Sequence, residues 1–479
     1  MNKRRKLNFK KAVIPCLTVL ILYMVMVQPV GAQLKALPQS EKHRIVVLTD
    51  IGGDVDDMQS LTRFLLYADQ YDIEGLLATS IRIFPKHKHR PIDGEPQPHY
   101  LVEWVNAYGK VRENLLKHSE GWPETEALLG MIKKGTKTGR DGPFNIRTGI
   151  AGEGSGHYPL EQILGEGKDT EASMHIIDVV DRDDPRPVWI SIWGGSVELA
   201  QALWKVRNER SEKEFKQFVA KLRVYVWGHQ DATGLWILEN FPDLFYIVST
   251  GGILYSADPK IHDEEWLNKN IRFEHGPLGA LCPVRKGMLG GADSETYLGL
   301  IPNGLSVMEH PDWGGWGGRL QLTPGSKSHW IDLESNLNPE TLGITICRWA
   351  PEFQNDYQAR MDWCVKAFDE ANHPPIPILN GDKSLRPMQI KVDPGQHITL
   401  EATGSYDMDK GDKLFYEWKF YQEAGTYSGQ VNIEDSNNIK TGLVVPEDAS
   451  GTKLHILLVL MDSGVPQLTR FRRLVIECE

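Results

Sequence analysis

Four carboxylates fall within eight residues of this chain: Asp50, Asp54, Asp56 and Asp57. Acids so crowded repel one another and raise each other's pKa unless a cation neutralises them. Donors that are all oxygen suit a hard divalent ion, calcium or magnesium. A simpler account covers part of the group, because a helix dipole favours acids in its first turn and one of them can cap it. That serves for one or two of Asp54, Asp56 and Asp57. It does not serve for Asp50, which stands before Gly52-Gly53, residues that let the backbone turn tightly.

The elements that must position these acids are legible on either side. Ile45-Val46-Val47-Leu48 reads as a buried strand, and Met58, Leu61, Phe64 and Leu65 are spaced for one buried face of a helix. The acids therefore sit where a parallel strand ends and a helix begins, the usual ligand crevice of open α/β sheets. Further strands are predicted at 73–80, 187–193, 222–227 and 244–248, each followed by polar or glycine residues and then a helical segment. The alternation predicts a doubly wound, mainly parallel α/β sheet between Arg44 and Asp369. An insert at 81–186 shows one clear helix near 100–116. Its run Lys86-His87-Lys88-His89-Arg90 reads as an anion site or a solvated face, and Gly152-Glu153-Gly154-Ser155-Gly156-His157 belongs to a long, glycine-rich loop of the kind that is often functional.

Candidate substrate contacts are suggested by the strand ends. Ser80 closes the second strand. Gln230 and Asp231 come after the fourth, where Asp231 could bind substrate hydroxyls or assist a leaving group and Gln230 could equally lie in a solvated loop. His310-Pro311-Asp312-Trp313-Gly314-Gly315-Trp316-Gly317-Gly318-Arg319 reads either as a sugar-stacking platform or as a packed turn. Arg319 could clamp a substrate carboxylate or pair with an internal acid.

The first 32 residues read as an export signal. Lys3, Arg4, Arg5, Lys6, Lys10 and Lys11 precede an apolar stretch from Ala12 to Val27, and Val30-Gly31-Ala32 supplies small residues before a cut. The stretch is short for a membrane span and contains Pro15, so no stable anchor is expected. Cleavage removes six cations and no acid, taking the net charge from −11 to about −17. So acidic a chain is a poor partner for nucleic-acid polymers. Cys282, Cys347, Cys364 and Cys478 show no zinc spacing and form no disulfide scaffold. His-Glu-x-x-His, Gly-x-Ser-x-Gly and phosphate-loop motifs are missing, and Gly52 occupies the second acidic position of an Asp-x-Asp phosphatase.

His373-Pro374-Pro375-Ile376-Pro377 reads as a stiff linker that isolates the C-terminal hundred or so residues. Beyond it, short alternating strands at 396–402, 413–418, 452–461 and 469–476 predict an all-β sandwich with Trp418 in its core. The expected organisation is a signal at 1–32, an α/β domain at 33–372, a linker at 373–377 and a sandwich at 378–479. Tyr406, Tyr421 and Tyr427 could face sugar or lie in the sandwich, and the module reads as a polysaccharide binder or, with slightly more weight, a spacer.

The stretch from Arg44 to Asp57 resembles the N-terminal signature of the nucleoside hydrolase superfamily. The closer similarity is to the Sde182-type, cellulose-associated branch, carried also by Gly165-Glu166-Gly167-Lys168-Asp169, Trp193-Gly194-Gly195, the run from Gln230 to Tyr246, and His310 to Arg319. The stretch from Ala402 to Asp412, with Tyr416-Glu417-Trp418, is similar to polycystic-kidney-disease-type, Ig-like modules. The resemblance implies a calcium ion. Asp50 and Asp57 match its first-loop ligands, Trp193 its carbonyl donor and Asp293 its late acid, while Asp56 matches an acid that grips sugar hydroxyls. The family's usual loop has proline and glycine between its aspartates, whereas this one has Ile51-Gly52-Gly53-Asp54-Val55, so nucleoside specificity does not carry over.

These readings combine into an exported, calcium-dependent hydrolase of N-ribosyl or glycosidic bonds. Asp50 is the expected base for the attacking water, with Asp54 next in line. Substrates would be small or oligosaccharide glycosides, a polysaccharide partner is open, and a homo-oligomer is allowed for. The alternative is a carbohydrate-binding protein on a hydrolase-like scaffold without turnover.

Overall fold

A computed structural model describes residues 33–53, 55–80, 82–83, 94–137, 140–141, 160–249, 263–285, 290–333 and 344–479. The export signal, Asp54, the basic run from Lys86 to Arg90 and the Gly152–His157 loop lie outside the described residues. None of the helices among the described residues is long and apolar enough to cross a membrane.

The chain opens with β1 (His43–Thr49), α1 (Val55–Leu65) and β2 (Tyr71–Ala78). The region between the second and third predicted strands contributes β3 (Arg82–Ile83), α2 (Pro98–His118), α3 (Thr125–Gly130), β4 (Ile132–Lys134), β5 (Arg140–Asp141), α4 (Leu160–Ile163) and α5 (Glu171–Asp181). Sequence periodicity finds only α2 of these. The signal for α5 is its cap: the Thr170 side chain accepts the Ser173 N–H, and Ser173 answers at the Thr170 backbone. Then come β6 (Val188–Ile192), α6 (Val197–Glu209), α7 (Glu212–Ala220), β7 (Leu222–Trp227), α8 (Thr233–Asn240) and β8 (Phe245–Ser249). After α9 (Glu264–Leu267), α10 (Gly276–Leu281) and α11 (Glu295–Leu298) the chain adds β9 (Leu320–Leu322) and β10 (His329–Asp332).

These strands form an eight-stranded sheet in the order β4-β2-β1-β6-β7-β8-β10-β9, parallel except for the antiparallel pair β9–β10. From β1 the chain builds outward through β2 and β4, then returns to lay β6 on the other flank of β1. The order therefore reverses between β1 and β6. Along β1 alternate residues face opposite ways: Ile45 and Val47 join one buried apolar cluster with α1 and α2, Val46 and Leu48 another with α5 and α6. Burial on both faces is why β1 reads as an unbroken apolar run.

The C-terminal part has a four-stranded sheet, β11 (Met388–Val392), β16 (Thr469–Cys478), β15 (Lys453–Met461) and β13 (Phe415–Phe420), facing a two-stranded one, β12 (His397–Glu401) with β14 (Lys440–Val444). Trp418 packs between them with Leu454, Ile456, Leu458, Leu474 and Ile476. The opposite faces of β15 and β16 are apolar too, and Leu457, Val459, Phe471 and Val475 belong to the same core as α1 and α2. The expected isolation of this module is thereby overturned. Residues 373–377 are packed as well: His373 is fully buried and Ile376 exchanges backbone hydrogen bonds with Tyr406. Residues 33–479 form one compact unit. Cys282, Cys347, Cys364 and Cys478 are all buried free thiols.

Candidate metal and active site

The crevice where strand order reverses is lined by the ends of β1 and β6. Asp50 follows β1 directly and is nearly buried. A Cβ built on Gly194, just past β6, would meet Asp50 Oδ1 at 2.7 Å, so only glycine lets that carboxylate lie against the neighbouring strand's exit. The turn is drawn tight by Gly53 N–H donating to the Asp50 carbonyl at 2.9 Å and Ile51 N–H to Thr49 Oγ1 at 3.1 Å. Gly52 adopts φ +89°, and a Cβ there would strike the Tyr100 ring of α2 at 2.7 Å.

Asp56 and Asp57 occupy the first turn of α1, where the helix dipole favours negative charge. The Thr49 hydroxyl donates to Asp57 Oδ1, tying the end of β1 to that turn. Asp293 comes from far along the chain, on a short 3-10 turn. It reaches the same place because Gly291 N–H donates to Gln59 Oε1 at 3.0 Å and Tyr297 OH to the Ser60 carbonyl at 2.8 Å. A Cβ on Gly291 would lie 3.0 Å from the Ser60 backbone nitrogen, so the turn rests on α1 itself. Gln59, Ser60 and Thr49 are positioning residues that sequence reasoning missed. Their signal is polar character on the buried side of elements that otherwise bury apolar groups.

The result is a trio, Asp56, Asp57 and Asp293, with one carboxylate oxygen of each within 4.8 Å of the others. Asp50 lies outside the trio but close enough to act on it: burial first, then Asp56, Asp57 and Asp50, hold the Asp293 carboxyl well above the usual carboxylate range. An all-oxygen set with this unbalanced charge fits a hard divalent cation. A second acidic group, Asp407, Asp409 and Asp412, occurs in the β part, but there Asp409 holds the backbone and ring of His373.

The other candidate residues are placed differently. The Trp193 carbonyl accepts from Gln230 Nε2 at 2.5 Å, while its indole is buried and donates to Ser191 and Thr296. Ser80 Oγ donates to the Gly94 carbonyl at 3.0 Å. Asp231 is a structural cap: it accepts Ser196 N–H at 3.0 Å, Thr233 N–H at 2.9 Å and Thr233 Oγ1 at 2.5 Å, anchoring the starts of α6 and α8. The tryptophan platform is corrected too. Trp316 is fully buried, with its ring edge-on to Phe353. Trp313 is 7% exposed, stacked under His310 at 4.1 Å and met edge-on by His455 of β15 at 4.7 Å. Arg319 donates to the Glu423 carbonyl at 3.0 Å. This segment is a joint with the β part, not a sugar platform.

Known proteins resemble this chain in sequence and fold. A family described as the nucleoside hydrolase-like domain of cellulose-binding Sde182 matches residues 44–320, and the C-terminal domain of cellulose-binding protein Sde0182 matches residues 397–478. Among solved structures, a nucleoside hydrolase-related protein from Saccharophagus degradans, associated with carbohydrate metabolism, is 34% identical. The match covers 91% of this chain and 100% of that one, with a TM-score of 0.77. The effector protein XOO4466 is 9% identical over 68% of this chain and 96% of its own, with a TM-score of 0.35. No curated protein matches.

Proposed function

We propose, from the premise that this chain belongs to the cellulose-binding Sde182 nucleoside hydrolase-like family, that it is an exported, calcium-dependent hydrolase of glycosidic or N-ribosyl bonds. The observation that supports this reading is the buried trio Asp56, Asp57 and Asp293 beside Asp50, at the point where strand order reverses. Asp56, Asp57 and Asp293 would hold the ion, with Thr49 orienting Asp57. When bound, the ion supplies positive charge that offsets the trio and polarises a water and sugar hydroxyls. Asp50, on the rigid end of β1, would take the proton of a water attacking the anomeric carbon, as the bond to the leaving group breaks and its electron pair departs with that group, which solvent then protonates. The carboxylates around it favour the oxocarbenium character of the transition state.

The family's cellulose-binding description supports a polysaccharide partner, which leaves room for a second reading, a binder without turnover. One experiment separates them. Purified protein with calcium is incubated with oligosaccharides from cellulose and other plant polysaccharides, and with nucleosides, and new reducing ends or free nucleobase are measured. Release that disappears in Asp50→Asn supports the hydrolase. Retention on cellulose with no release from any substrate supports the binder.

A further inference from the structure

A buried chain of polar groups, unused by the proposed chemistry, crosses from the α/β part to the β part. His118, the last residue of α2, places Nε2 3.0 Å from the Lys366 carbonyl and Nδ1 2.9 Å from Nε2 of His373. His373 Nδ1 lies 2.8 Å from Asp409 Oδ1, while Asp409 Oδ2 accepts the His373 backbone N–H at 2.6 Å. Both rings are 0% exposed and stack with Trp363 and Phe368. The Lys366 carbonyl and the Asp409 carboxylate can only accept, so each end of the chain needs an N–H, and the ring-to-ring link needs one more. Two neutral imidazoles carry only two N–H groups between them. The three links close only with a third.

We propose that His118 and His373 together hold one proton beyond neutrality, and that this proton clasps the C-terminal β part to the end of α2. Imidazole is the stronger base, so the proton sits on a ring and not on Asp409. Burial, then the neighbouring His373, pushes His118 down to about 4. Other charged groups face the clasp from each element around it. Asp407 and Asp412 share the turn of Asp409, Asp462 follows β15, Lys117 precedes His118, and Asp362 binds Lys366 and His275. Burial raises Asp407 to about 6 and Asp462 to about 7. Asp462 binds Asn372, Gly464 and Leu468, not a ring, so its titration leaves the three-link count unchanged. As pH rises the extra proton leaves, two N–H groups remain for three links, and one link opens. The clasp is closed on the acid side and open on the alkaline side.

Asp409→Asn tests the count. An asparagine amide can donate to His373 Nδ1 while its oxygen keeps the backbone N–H, so all three links close with two neutral rings. Histidine-labelled full-length protein is examined by long-range proton–nitrogen NMR at about pH 7, within the ordinary histidine range. One buried ring with both nitrogens protonated is expected, and its signature should vanish in Asp409→Asn. Two neutral rings in the parent, or an imidazolium that survives the substitution, would overturn the proposal. A second reading uses the parent alone. Trp363 donates its indole N–H to the Asn372 carbonyl at 2.9 Å and stacks on His118 at 5.4 Å. Its indole signal should shift together with loss of the imidazolium as pH is raised, and an indole indifferent to that step would refute release of the clasp.

Discussion

The hydroxyl of Thr49, the last residue of β1, donates to the carboxylate of Asp57 in the first turn of α1. The same oxygen accepts the Ile51 N–H, so one side chain sets both the turn and the orientation of a candidate ligand. Thr49→Val keeps the β-branched shape and removes only that hydroxyl. Groups that orient metal ligands typically contribute ~10–100-fold to affinity. Calorimetric titration with calcium should show a loss of that size with folding retained, and unchanged affinity would separate Thr49 from the cation.

Asp293 links the proposed ion to stability. Burial, then Asp56, Asp57 and Asp50, raise its carboxyl in the cation-free fold. A carboxyl raised by folding contributes stability while protonated, and the contribution is lost as pH rises through the folded-state value. Asp293→Asn should therefore raise the thermal midpoint of cation-free protein at neutral pH. It should also abolish the upward shift that calcium gives the parent. Scanning calorimetry with and without calcium reads both, and a preserved calcium shift would exclude Asp293 as a ligand.

Asp50→Asn keeps an oxygen against Gly194 but cannot take a proton. Turnover should fall by about 10²–10⁴-fold, with calcium affinity changed far less, because Asp50 lies outside the trio. Initial rates on whichever glycoside the parent hydrolyses provide the measurement. Rates within a few-fold of the parent would move the base elsewhere.

Arg473 of β16 is fully buried and donates to the carbonyls of Leu305, Trp313 and Gly314. Desolvation lowers it to about 10. Arg473→Met would leave these buried acceptors without their donor, a loss of at least ~2 kcal/mol. Chemical denaturation should show a lower midpoint. By the same packing, residues 378–479 expressed alone would expose Leu457, Val459, Phe471 and Val475 and are expected to self-associate. A monodisperse, soluble fragment in light scattering would contradict this.

Local rules place the heart of the site. A buried strand, a glycine turn and an amphipathic helix are each written in consecutive residues, so β1, α1 and the acids between them are legible without any tertiary knowledge. The parallel sheet follows from the same alternation, and so does Trp418 as a core residue. What the sequence leaves open is decided by partners distant along the chain. Asp293 joins Asp56 and Asp57 only because Gly291 rests on the Ser60 backbone. Asp231 resembles a catalytic acid in its loop, and becomes a cap because two helix starts converge on it. Trp313 and Trp316 have the composition of a sugar platform, yet whether an aromatic face meets solvent or protein depends on what packs over it. Here that is β15 with His455 on one side and Phe353 on the other. The prolines after His373 signal a stiff connector, but stiffness says nothing of burial. The second apolar face of β15 and β16 joins the core of α1 and α2, and the connector is buried as well.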